Sequence, residues 1–177
     1  LVFAAVYVYG SASGRPRVKD RLLIKNRAVG IAIAGFVMLL ALHHAGDALL
    51  PPSPDAVAVG GYLLLHVTAD AMLCDIDDAA ADARHGTRTI PNRFAVVTTW
   101  RAALALTIGA GAALLALARP LGLSPRHVAT LVIASVSTTL ILRELARRAA
   151  PDSRWLRDAV DARAALLALL LLLLPLA

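Results

Sequence analysis

The sequence predicts an all-α protein: a multi-pass transmembrane helical bundle with five full spans and the end of a truncated one. Three observations carry that reading. The hydrophobic fraction is 59%, above the roughly 45–50% apolar share of a soluble domain. The apolar residues fall in long blocks and not in the amphipathic stripes of a soluble helix bundle. Lys and Arg crowd every second loop between those blocks. With 17% of residues charged and a mean hydropathy of +0.70, a water-soluble globule is excluded. The net charge of +6 points to no nucleic-acid partner, because the basic residues sit in short loops beside apolar spans.

A hydrocarbon layer of about 30 Å needs about 20 helical residues. Residues 1–10 are apolar but too few to cross. They read as the tail of a span, and the chain as the C-terminal portion of a longer membrane protein. No basic segment or small-residue cleavage site precedes them, against a signal peptide. Full spans are predicted at 28–45, 57–74, 94–118, 127–142 and 160–177. Breakers divide them: Pro51, Pro52 and Pro54, then Pro120 with Pro125, then Pro151.

The loops give the orientation. Arg15, Arg17, Lys19, Arg21, Lys25 and Arg27 precede the first full span, and the next loop holds no Lys or Arg. Arg84, Arg88 and Arg93 follow, then Arg119 and Arg126, then Arg143, Arg147, Arg148, Arg154 and Arg157. Alternate loops thus hold fourteen basic residues on one side and two on the other. The crowded side is predicted to be cytoplasmic, in the cell membrane.

Five of the twelve acidic residues lie between Asp70 and Asp82, at the cytoplasmic mouth of the second full span. At 100° per residue, Asp75, Asp78 and Asp82 fall within about 60° on one helical face, and Asp77 points away. Three such carboxylates repel unless a cation neutralises them. Mg²⁺ suits them, since it takes one or two carboxylates together with phosphate oxygens and water. Arg84 and Arg88 add positive charge beside the acidic face, Gly86 permits a bend, and Pro91 suits a helix's first turn. The loop from Tyr9 through Lys19 to Lys25 and Asn26 supplies further cations. A diphosphate head with an apolar tail between helices is the substrate this pattern describes. A solvated loop held by ion pairs remains the plainer alternative. An EF-hand is excluded, because the Gly and the closing Glu it needs are missing.

The run Asp75-Ile-Asp-Asp78-Ala-Ala-Ala-Asp82-Ala-Arg-His-Gly86-Thr-Arg-Thr89-Ile-Pro91 closely resembles the second Asp-rich motif of the UbiA superfamily of intramembrane prenyltransferases, with all six fixed positions present. The stretch from Tyr9 to Lys25-Asn26 looks like that family's Tyr and basic loop, with a longer Tyr-to-Lys distance. The family's first Asp-rich motif has no match here, and the resemblance places it in spans before Leu1. What the resemblance implies is a helical bundle around a cavity, with Mg²⁺ bound by Asp75, Asp78 and Asp82 and a diphosphate held by Lys19, Arg84, Arg88 and Tyr9. The reaction implied moves a prenyl group from an allylic polyprenyl diphosphate to a small aromatic or lipid hydroxyl acceptor. Two rivals stand beside it. A membrane CDP-alcohol phosphotransferase also uses Asp clusters, but its Gly four residues before the closing Asp is Cys74 here. A non-catalytic transporter or assembly protein needs only an acidic mouth that attracts cations.

Other polar residues read mainly as structural. Asp70 and His66, four apart, form a polar pair within the second span. Arg101, about two turns into the third, either snorkels or marks a site. His43 and His44 anchor the far interface. Ser135, Ser137, Thr138 and Thr139 suit close helix packing. The lone Cys74 excludes an intrachain disulfide and lacks an activating partner.

Overall fold

The computed structural model describes residues 24–44, 53–148 and 155–172. The predicted partial span at 1–10, and with it Tyr9 and Lys19, lies outside the described residues. Every regular element described is a helix: α1 (Ile24–His44), α2 (Pro54–Arg84), α3 (Ile90–Arg93), α4 (Val96–Ala118), α5 (Pro125–Arg148) and α6 (Trp155–Leu172). The predicted all-α class is therefore observed, with a long helix at each expected span.

The span count differs. Among the described residues three helices are long and apolar enough to cross a membrane: α2 with 31 residues, α4 with 23, and Pro125–Glu144 of α5 with 20. The described parts of α1 and α6 fall short of that, so five full spans are not supported. In α6, Asp158, Asp161 and Arg163 lie close together at its start, where each charge is costly to place in hydrocarbon.

The ends of α2 show why it forms. Ser53 caps it, its Oγ accepting from the Ala56 amide at 3.1 Å, and Pro54 occupies the first turn where no amide hydrogen is needed. At 1.5 Å per residue α2 is about 46 Å long, some 15 Å more than a hydrocarbon layer. Its last turns, from about Asp75, therefore extend past the apolar segment.

Contacts between named residues give an up-and-down order. Lys25 at the start of α1 meets Asp75 and Asp82 late in α2. Asp55 at the start of α2 accepts from the Ser124 amide, just before α5, at 3.0 Å, and lies 3.4 Å from His127 Nδ1. Arg84, Arg88 and Arg93 thus share one end of the bundle with Lys25 and Arg27, and Arg119 and Arg126 lie at the other. Helix α2 is central and touches each of the other five described helices.

The interior is layered. One apolar layer joins Tyr62 and Leu63 of α2 to Leu114 of α4, Leu131 of α5 and Leu167 of α6. A second, nearer the acidic end, joins Leu73 and Ile76 to Ala103, Leu142 and Val160. Between them along α2, α4, α5 and α6 lie His66, Asp70, Thr107, Ser135, Thr138 and Arg163, all buried. The small residues act as expected: Ser135 Oγ donates to the Thr107 carbonyl at 3.0 Å, and a Cβ on Gly111 would lie 2.9 Å from Ser135 Cβ. Only glycine permits α4 and α5 that approach.

Candidate functional site

The acidic motif ends α2 by a defined turn. Gly86 adopts φ 72°, a conformation that costs other residues, and two hydrogen bonds close the helix: Thr87 amide to Asp82 carbonyl at 2.9 Å and Gly86 amide to Ala83 carbonyl at 3.2 Å. The chain then enters α3, where the Thr89 amide donates to Asn92 Oδ1 at 2.9 Å and Asn92 Nδ2 donates to the Thr87 carbonyl at 2.7 Å. Pro91 sits in the first turn. Gly86, Thr89 and Pro91 of the motif thus build the corner that sets α2 against α3 and α4.

The carboxylates before that corner hold a protein cation. Lys25 Nζ lies 2.8 Å from Asp75 Oδ1 and 3.1 Å from Asp82 Oδ2. Asn26 Nδ2 donates to the other Asp75 oxygen at 2.9 Å, and Asn26 and Asp75 are both 2% exposed. Asp75 and Asp82 are two helical turns apart, so they stack on one line that a single ammonium can bridge. Burial alone lowers the pKa of Lys25, but hydrogen bonds and charge from Asp75 and Asp82 outweigh it and hold the group well above the usual lysine value. It is a permanent cation at neutral pH.

The predicted trio does not assemble. Asp78, about 60° from the Asp75–Asp82 line, is exposed, as are Arg84 and Arg88. Among the described residues no group of three or more His, Cys, Asp or Glu side chains is disposed to hold a metal ion. With Lys25 between the two inward carboxylates, the arrangement does not fit a resident Mg²⁺. Of the expected metal set, Asp75 and Asp82 join Lys25 and Asn26 in an ionic cluster, and Asp78 stands outside it. Sequence reasoning placed Lys25 and Asn26 in the basic loop; the signal that would have paired them is their position at the start of a helix antiparallel to α2.

Beside the cluster lies an apolar cavity of about 680 Å³. Asn26 and Arg27 form its polar end, and Ile31, Leu64, Met72 and Phe94 are among its walls. Asn26 therefore belongs to both features: its side chain fixes Asp75 and its surface lines the cavity.

The buried polar layer contains a residue that sequence reasoning missed. Arg163, fully buried, donates from one Nη to Asp70 Oδ1 and from the other to Thr107 Oγ1, the latter at 3.0 Å. The expected His66–Asp70 pair is present, with Nε2 3.4 Å from Oδ2, and Tyr62 stacks on the His66 ring at 5.9 Å between centroids. The available signal was an Arg within an apolar run, which requires an acid on a facing helix.

Comparison with known protein families, with curated proteins and with solved structures gives no match.

Proposed function

We propose that the chain carries the donor side of a UbiA-type intramembrane prenyltransferase, with the acidic end of the bundle facing the cytoplasm of the cell membrane. The observation that carries this reading is the junction at Asn26, where a charged cluster and a 680 Å³ apolar cavity share a residue. An allylic prenyl diphosphate needs those two environments side by side: charge for the head, a dry channel for the tail. The six motif positions from Asp75 to Pro91 support the same reading.

In this proposal the donor brings magnesium with its diphosphate, as a metal complex that is itself the substrate. Arg27 at the cavity's polar end and the exposed Arg84 and Arg88 attract that head. Lys25, neutralised by Asp75 and Asp82, anchors α1 to α2 and keeps the cavity mouth in shape. The allylic carbon–oxygen bond breaks, diphosphate leaves with the electron pair, and the aromatic or hydroxyl acceptor bonds to the carbon and loses a proton. The apolar walls exclude the water that would otherwise capture the carbon.

Equilibrium binding of labelled farnesyl diphosphate with Mg²⁺, in detergent, tests the proposal. Saturable binding that weakens about tenfold in Arg27→Gln is expected for a charge-assisted contact. Failure of the wild-type chain to bind would set the proposal aside. A transport or assembly role is favoured by one observation, the Arg163–Asp70 pair inside the bundle, because intramembrane charges commonly mark ion pathways. That reading predicts cation flux in liposomes that Asp70→Asn abolishes.

A further inference from the structure

On the outer face of the bundle, away from the Asn26 cavity, the starts of α4 and the end of α5 enclose a second hollow of about 230 Å³ lined by Val97, Trp100, Arg101, Leu104, Leu142 and Arg143. Two guanidinium groups lining so small a space repel each other. Neither forms an ion pair with a carboxylate among the described residues. Both Arg side chains are exposed, whereas Leu142 beneath them is buried.

Depth favours a lipid over a free ion. Arg101 is the sixth residue of α4, about 8 Å of helix inside its start. Its long side chain can lie along the helix toward the bundle end where Arg143 stands. Trp100 beside it has the amphipathic ring found where hydrocarbon meets headgroups. Leu104, half-buried below the two charges, continues the hollow toward the apolar interior and offers an acyl chain a surface there.

We propose that this hollow binds an anionic phospholipid, with the phosphodiester between Arg101 and Arg143 and an acyl chain along Leu104. Arg forks match phosphate oxygens, and basic pockets between membrane helices select anionic headgroups. The site is independent of the prenyl donor reading.

Native mass spectrometry of the detergent-purified chain with phosphatidylglycerol or phosphatidylcholine tests it. The wild-type chain should retain phosphatidylglycerol over phosphatidylcholine by roughly thirtyfold, as two basic contacts imply. R101Q/R143Q should lose the preference, R101K/R143K should keep most of it, and Arg126→Gln at the opposite end should leave it unchanged. Circular dichroism identifies any variant that has unfolded, and in that event the Lys pair and Arg126→Gln decide. Equal retention of both lipids, an unaltered preference in R101Q/R143Q, a lost preference in a folded R101K/R143K, or displacement of the lipid by inorganic phosphate alone would overturn the proposal.

Discussion

Lys25 Nζ stands 2.8 Å from Asp75 Oδ1, tying the start of α1 to the late turns of α2 while Asn26 holds the second Asp75 oxygen. The pair is stabilising only as a pair. Lys25→Met leaves a buried carboxylate with one neutral donor and should cost about 3 kcal/mol. Adding Asp75→Asn to it should recover most of that loss, read as melting temperature by Trp fluorescence in detergent.

The same pair has a pH signature. The pKa of Lys25 is raised in the fold, so its contribution is complete below the unfolded value near 10.4 and is lost as pH rises through the folded value. Wild type should therefore keep this contribution up to about pH 9 and lose it at higher pH, whereas Lys25→Met has none to lose. An alkaline loss of stability no larger in wild type than in Lys25→Met would contradict the assignment.

Arg163 and Asp70 make the strongest stability claim. Either change alone, Arg163→Met or Asp70→Leu, strands a charge in the interior and should cost about 3–5 kcal/mol. The double variant should lie much nearer wild type, and a double-mutant cycle measures the coupling.

Close helix approach is tested at Gly111. Gly111→Ala places a methyl 2.9 Å from Ser135 Cβ and should destabilise by about 1–3 kcal/mol through overpacking. Ser135→Gly in the same chain should return much of it.

How far these features were legible follows from how local each one is. Helix existence and the paired arrangement of basic loops needed only block length and charge, and Ser53, Gly86 and Pro91 mark their turns by their own backbone chemistry. The helical wheel put Asp75 and Asp82 on one line, as observed. It was silent on what that line faces. Lys25 lies 57 residues from Asp82 and Asn26 49 from Asp75 in sequence, and only packing shows that an ammonium lies where a metal ion was expected. Arg163 reaches Asp70 across 93 residues for the same reason. Asp78 shares that face, but its offset of about 60° leaves it exposed beside the cluster.

The central claim is that an isoprenoid tail lies in the cavity beside Asn26. Photolysis of a prenyl diphosphate bearing a diazirine in its tail, followed by peptide mapping, tests it most directly. The account predicts adducts on Ile31, Leu64, Met72 or Phe94, suppressed by excess farnesyl diphosphate and reduced in Arg27→Gln. Labelling confined to the outer faces of α1 and α5, unaffected by that competitor, would contradict it.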